Sequence, residues 1–224
     1  MKARTAFLVL LTAGVVGTAA WLVFFSPVLG VRSIDIVGNL TVPSERIEQQ
    51  AGVADLHPLA TVNLADVEGR VLGIRQLATA KVDRIWPGTL RIEVVEREPV
   101  AAIATGEPGG RVAIVDGKGV VIEFRSAAPP LLPLLKVDHP AAGDPAMMAA
   151  LQVIQAVPDT VAPKVRQVRA GTAEGVTLEL SDGRTVLWGG PDRAEEKGRL
   201  ITSLLKREKA TLYDVSSPDV VTLK

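Results

Sequence analysis

Cysteine is absent from all 224 residues. That excludes a disulfide framework, a thiol nucleophile, a cysteine-based metal site and a lipid-modified cysteine anchor. Histidine is almost as scarce. His57 and His139 lie far apart, each is followed by proline, and neither has a second histidine or a carboxylate at ligand spacing, so no metal site is expected. No Gly-x-Ser-x-Gly, Ser-x-x-Lys or P-loop pattern occurs. An excess of one charge is also missing: 25 acidic and 25 basic residues cancel, which gives no whole-chain reason to expect nucleic acid as a partner. The carboxylates Glu93, Glu96 and Glu98, and Glu195 with Glu196, lie among basic neighbours and read as solvated faces. Gly189-Gly190-Pro191-Asp192 ahead of a helical stretch could imitate an anion cradle. A glycine turn with Asp192 as helix N-cap accounts for it, and no lysine stands in Walker position. These absences predict a chain that is not an enzyme, with no cofactor, no metal and no small-molecule substrate.

Charge is missing altogether from Thr5 to Phe25. About twenty apolar residues at ~1.5 Å per residue span a ~30 Å hydrocarbon core, so the run predicts a transmembrane helix. Lys2 and Arg4 precede it and the next charge is Arg32. Basic residues stay in the cytoplasm, so residues 1–4 are expected inside as a short cytoplasmic tail and everything after Phe25 outside, in a single-pass type II arrangement. Trp21, Phe24 and Phe25 suit the outer interface. A cleaved signal peptide would have a shorter apolar region ending in an A-x-A-like site, whereas the small residues Thr18-Ala19-Ala20 fall inside this run and Trp21 follows them.

The outer part is long enough for two small domains. Residues 31–99 read as a β-α-α-β-β unit. Ser33–Val37 alternates as a half-buried strand, and Gly38-Asn39 breaks it. Pro43 opens a helix through Ser44–Ala51 that Gly52 closes. Asn63 is placed to cap a second helix carrying Leu64, Val67 and Val71 on one face. A hairpin follows, with strands around Ala78–Asp83 and Leu90–Val95 and a turn at Trp86-Pro87-Gly88.

Residues 100–224 read as a β-rich domain with two helices. Asp116-Gly117-Lys118-Gly119 joins two apolar runs as a hairpin. Pro129, Pro130, Pro133 and Pro140 predict an extended connector that cannot be a central strand. Pro145–Val157 has helical spacing. Val165–Ala170, Val176–Leu180 and Thr185–Trp188 read as strands, and Arg193–Lys209 as a helix with Ala194, Lys197, Ile201, Leu204 and Leu205 inward. Ala210–Ser216 and Val220–Leu223 close the chain. The last of these either leaves a free sheet edge, which an extended partner could complete, or simply closes the sheet; the sequence pattern weighs the two evenly.

Val31-Arg32-Ser33-Ile34-Asp35-Ile36-Val37-Gly38-Asn39, Lys81-Val82-Asp83-Arg84-Ile85-Trp86-Pro87-Gly88-Thr89-Leu90-Arg91-Ile92 and Val95-Glu96-Arg97-Glu98-Pro99-Val100-Ala101, in this order behind one anchor helix, resemble the FtsQ/DivIB cell-division family. The resemblance covers nearly the whole chain and weakens through Ala127–Pro163. It implies an α+β protein with one transmembrane helix, a POTRA domain and a mixed β domain. It also implies a non-enzymatic scaffold of the divisome in the cytoplasmic membrane, concentrated at the septum among other divisome membrane proteins. The bitopic proteins FtsB (DivIC in Gram-positive bacteria) and FtsL would be its partners, the former docking as an added strand. By position that implicates Tyr213, Val215, Asp219, Val220, Val221, Thr222 and Leu223, with Arg193 and Glu196 as flanking contacts. A POTRA-type polypeptide-transport or chaperone protein is the alternative, for which several POTRA copies or a following barrel would be expected. A secreted enzyme is a weaker alternative, for want of a nucleophile–base set.

Overall fold

The computed structural model describes residues 2–105, 110–141, 143–220 and 222–223. Its contacts divide the chain into two compact units, Met1–Arg97 and Glu98–Lys224.

The first unit opens with helix α1, Lys2–Phe25. Its span Arg4–Phe25 is long and apolar enough to cross a membrane, and none of it is buried in the protein. With no protein to cover Leu10, Phe7 or Val16, lipid is the environment that suits such a surface. Thr12 and Thr18 turn their hydroxyls back onto the carbonyls of Leu8 and Gly14, both at 2.9 Å, so no side-chain polar group is offered to hydrocarbon there. The Ser26 side chain then caps a short 3-10 turn, Pro27–Leu29.

Next come β1 (Ser33–Val37), α2 (Ser44–Ala51), α3 (Leu64–Val71), β2 (Leu77–Ile85) and β3 (Thr89–Glu96). They form a three-stranded sheet in the order β1-β3-β2, with β1 parallel and β2 antiparallel to β3. The β-α-α-β-β order read from the sequence is the one observed. Asn63 caps α3 as expected, its side chain accepting from the Asp66 amide. Leu90, Ile92 and Val94 on β3 are buried against Ile47, Ala51, Val67 and Val71 of the two helices, while Arg91, Glu93 and Val95 face out. Period-two alternation on β3 and the helical stripe of α3 therefore close on one core. Gly38 leaves β1 with φ 91, passing so close to β3 that a Cβ would lie 2.1 Å from the Val94 carbonyl oxygen.

Glu96, at the end of β3, ties the sheet to the loop before α2. Its carboxylate accepts from the amides of Leu40 (2.7 Å), Thr41 (2.8 Å) and Val42 (2.9 Å) and from the Thr41 hydroxyl. Burial pushes this carboxyl up, but the Thr41 hydroxyl and the three amides favour the charged form and together hold it down at about 2. A carboxyl depressed in the folded state stabilises the fold fully above its unfolded value, ~4.3, and loses that contribution as pH falls towards 2. Glu96→Gln in the full chain is expected to lower the unfolding free energy measured in urea at pH 7 by an amount of order 1–2 kcal/mol. The gap to wild type should shrink as the pH approaches 2.5, and a gap independent of pH would refute this role.

The second unit is a nine-stranded sheet with β4 (Pro99–Ala104), β5 (Val112–Asp116), β6 (Val121–Arg125), β7 (Leu134–Val137), β8 (Val165–Ala170), β9 (Val176–Leu180), β10 (Thr185–Gly189), β11 (Leu212–Asp214) and β12 (Thr222–Leu223), and helices α4 (Pro145–Ala156) and α5 (Ala194–Arg207). The strand order is β12-β11-β10-β9-β8-β7-β4-β5-β6. Helix α4 links the parallel pair β7 and β8, and α5 links the parallel pair β10 and β11, as parallel neighbours require a crossover. Met147, Leu151 and Val153 of α4 and Ile201 of α5 share one core with Val168, Leu178, Val186 and Trp188 of the sheet. A smaller cluster of Ala102, Val112, Ile114 and Ile122 packs with Ala128 and Leu132. The mixed α+β architecture matches the sequence reading.

Two local expectations fail. The proline-rich connector contains β7, which lies between β4 and β8 near the middle of the sheet. Pro133 stands just before this four-residue strand and Pro140 beyond it, so every amide in Leu134–Val137 is free to pair, and Pro133 contributes its carbonyl to Ala102 at 3.0 Å. Proline excludes a ladder position only where its own nitrogen would have to donate. Asp192 is not the N-cap of α5 either. Arg193 holds that place, in a left-handed conformation with φ 50 and without a side-chain cap, because the Asp192 carboxylate is engaged elsewhere, by Lys197 at 3.3 Å.

Candidate partner-binding edge

The β10-α5-β11 crossover brings the chain back beside β10, and β12 turns antiparallel onto β11 through Tyr213↔Leu223 and Asp214↔Thr222. β12 is the outermost strand at this side of the sheet and β6 at the other. Thr222 and Leu223 are exposed, and Val220, just before the strand, is 71% exposed. Val221 lies outside the described residues. An apolar, exposed end strand of this kind is an unusual surface to leave open to water.

Tyr213 and Val215 sit differently. Both are completely buried. Tyr213, the single tyrosine, donates its hydroxyl to the Glu208 carbonyl at 2.8 Å and accepts from the Ala210 amide at 3.2 Å. The Arg184 guanidinium lies over its ring, 5.8 Å from the centroid. The ring is therefore part of the core, where it fixes the loop between α5 and β11, and it is not available as an aromatic anchor on the surface.

Asp219, 26 residues along the chain from Arg193, meets Arg193 and its i+3 neighbour Glu196 in space. The Arg193 guanidinium grips Asp219 with two bonds, at 2.7 and 3.0 Å, and Glu196 with two more, at 2.9 and 3.1 Å. Asp219 holds the Arg193 guanidinium up and is itself held below the usual carboxylate range by it. All three side chains are exposed, so solvent screens the attraction and its main effect is geometric. The bidentate fork sets the position of the Ser217–Val220 turn from which β12 departs.

Sequence reasoning missed Lys197 as more than an inward-facing position. Its ammonium is fully buried and donates to the Gly190 carbonyl at 2.9 Å as well as to Asp192. A lysine at an apolar position of the inward stripe was the available signal. No group of three or more histidine, aspartate or glutamate side chains able to hold a metal ion occurs among the described residues.

Two family descriptions match the chain: "POTRA domain, FtsQ-type" over residues 29–97, and "Cell division protein FtsQ/DivIB, C-terminal" over residues 105–220. This chain belongs to the FtsQ/DivIB family of cell-division proteins. The cell division protein FtsQ of Mycolicibacterium smegmatis is 41% identical over 91% of this chain and 60% of its own length. That of Mycobacterium tuberculosis is 38% identical over 100% of this chain and 69% of its own, so the chain spans roughly two thirds of these FtsQ proteins. The extracytoplasmic domain of DivIB from Geobacillus stearothermophilus aligns with 51% of this chain and 98% of that domain, at 16% identity and a TM-score of 0.36. The FtsQ/DivIB C-terminal match stops at residue 220, two residues short of β12.

Proposed function

We propose that this protein is a non-enzymatic bitopic scaffold of the divisome, whose outer sheet is completed at β12 by an extended segment of an FtsB/DivIC protein, with FtsL held in the same complex. Residues 5–25 anchor it in the cytoplasmic membrane, residues 1–4 lie inside, and the POTRA domain of residues 31–99 and the β domain of residues 100–224 lie outside at the septum. Septal cell-wall synthesis is thereby linked to the cytoplasmic division ring. Family membership and the apolar helix support this reading. The observation that carries it is the outermost position of β12 together with the exposure of Val220, Thr222 and Leu223.

An added strand gains affinity from backbone hydrogen bonds and specificity from alternate side chains. In this reading Val220, Val221, Thr222 and Leu223 meet the partner directly. Asp219, Arg193 and Glu196 flank the contact and fix where the strand begins. Tyr213 and Val215 support it from the core beneath. Two proteins confined to one membrane need only modest intrinsic affinity to assemble, because their effective concentration is high.

The deciding experiment deletes Val220–Lys224 from the full chain, reconstituted in nanodiscs, and measures binding of the outer segment of the cell's own FtsB/DivIC protein. Loss of about a hundredfold or more in affinity is expected, ~2.7 kcal/mol. Binding within threefold of wild type would remove the terminal strand from the interface.

A further inference from the structure

From the contacts of its buried ammonium we infer that Lys197 is a positioning residue for the edge strand: through the Gly189–Arg193 turn it sets the Arg193–Asp219 grip and so holds β12 on β11.

The chain of contacts is continuous. Lys197 projects from the first turns of α5 back onto the turn that precedes the helix, where its Nζ binds the Gly190 carbonyl at 2.9 Å and Asp192 Oδ1 at 3.3 Å. A Cβ at Gly190 would lie 2.8 Å from that same Asp192 oxygen, so a side chain there would push the carboxylate off its place beside Lys197. Gly189, with φ 77, lies against the segment leaving β11, and a Cβ there would come within 2.9 Å of the Ser216 Cβ. The turn is thus clamped between α5 on one side and the β11–β12 connection on the other. Arg193 follows in a left-handed conformation, which is strained for an L-residue and persists only where its surroundings impose it. The Arg193 guanidinium has no acceptor with which to cap the first-turn amides, and it donates to Glu196 and Asp219 instead.

The magnitudes favour a positioning role over a stabilising one. A buried cation with a single, largely exposed carboxylate partner, 69% accessible in Asp192, is a poor way to add stability. Replacing such a group by an apolar one of similar size is often neutral or stabilising. What Lys197 supplies that an apolar residue cannot is a donor that pins both a backbone carbonyl, of Gly190, and a side chain, of Asp192, within one turn. Among the described residues β12 meets β11 at two positions, Tyr213↔Leu223 and Asp214↔Thr222, and its own side chains are exposed, so the placement of the turn before it matters to how it is held.

The test uses the full chain in nanodiscs and the substitution Lys197→Met, which keeps the volume and removes the donor. Amide exchange in the hydrogen-bonded pair of the β11–β12 ladder, one of Tyr213↔Leu223 and Asp214↔Thr222 since such pairs alternate between antiparallel strands, is expected to speed up at least tenfold, while that of β8 and β9 stays within twofold and the melting temperature holds or rises. Exchange at β12 that is unchanged, or that rises throughout the sheet, would overturn the inference. The consequence for binding rests on the function proposed above. FtsB/DivIC outer-segment affinity should fall about tenfold in Lys197→Met. It should return to within threefold of wild type when β12 is locked by Asp214→Cys and Thr222→Cys under oxidation, a pair introduced into a chain with no other cysteine. If affinity falls and the oxidised pair does not restore it, Lys197 acts otherwise and the inference fails. If the exchange result holds but the wild-type chain does not bind the partner, the proposed function fails and the positioning role stands.

Discussion

Truncating Tyr213 to alanine is expected to unfold the second unit long before it tells anything about surface contacts. The ring is wholly buried beside β10, so removal of its atoms leaves a cavity worth ~3–5 kcal/mol. The Glu208 carbonyl and the Ala210 amide also lose their partner. A fall of order 10 °C in melting temperature follows for a unit of this size, with loss of partner binding as a by-product. Tyr213→Phe keeps the ring and removes only the hydroxyl, so ~1–3 kcal/mol is expected and binding should survive within a few-fold. The two variants separate a supporting core residue from a direct contact. If Tyr213→Ala left the melting temperature unchanged while abolishing binding, Tyr213 would be meeting the partner itself.

The second large effect belongs to Gly38. Gly38→Ala imposes a side chain at φ 91, where L-residues are strained, and places its Cβ 2.1 Å from the Val94 carbonyl oxygen. That oxygen is main chain of the central strand of a three-stranded sheet and cannot swing aside. Left-handed strain and overpacking together cost about 2–5 kcal/mol, a large share of what a small domain has. The control is the same substitution at Gly69, inside α3, where a Cβ meets nothing within 4 Å. There alanine should stabilise by up to ~1 kcal/mol through helix propensity. Thermal melts of the two variants should shift in opposite directions, and a shift of the same sign and size would sink this account of Gly38.

The first unit was nearly all legible in the sequence because its signals are local. Pro43, Gly52, Asn63 and the alternation of Leu90, Ile92 and Val94 each act within a few residues, and the resemblance fixed their order. The second unit hid what depends on distant partners. β7 is four residues between prolines, and only the neighbouring β4 and β8 make it a strand. β4 was unmarked because Ala101, Ala102 and Ile103 are all buried and so show no alternation.

At the candidate edge, the resemblance grouped Arg193, Glu196 and Asp219 by position but could not show that Arg193 grips Asp219 across 26 residues. The resemblance implicated Tyr213 by position alone, and an aromatic near a terminal strand looks the same in sequence whichever face it takes. Asp192 was assigned to the helix cap because its competitor, Lys197, lies in the helix it was meant to cap.

The strand order has a mechanical consequence. The chain enters the second unit on β4, which starts at Pro99, and β12 stands six places away across β7, β8, β9, β10 and β11. At ~4.8 Å per place that is a lever arm of roughly 29 Å. On the function proposed above, tension between the membrane tether and a protein fastened at β12 is transmitted across every ladder in between, and β12 is the outermost rung in that series. Under load the sheet should part there first, giving the attachment a release point at its very end while the rest of the domain stays folded.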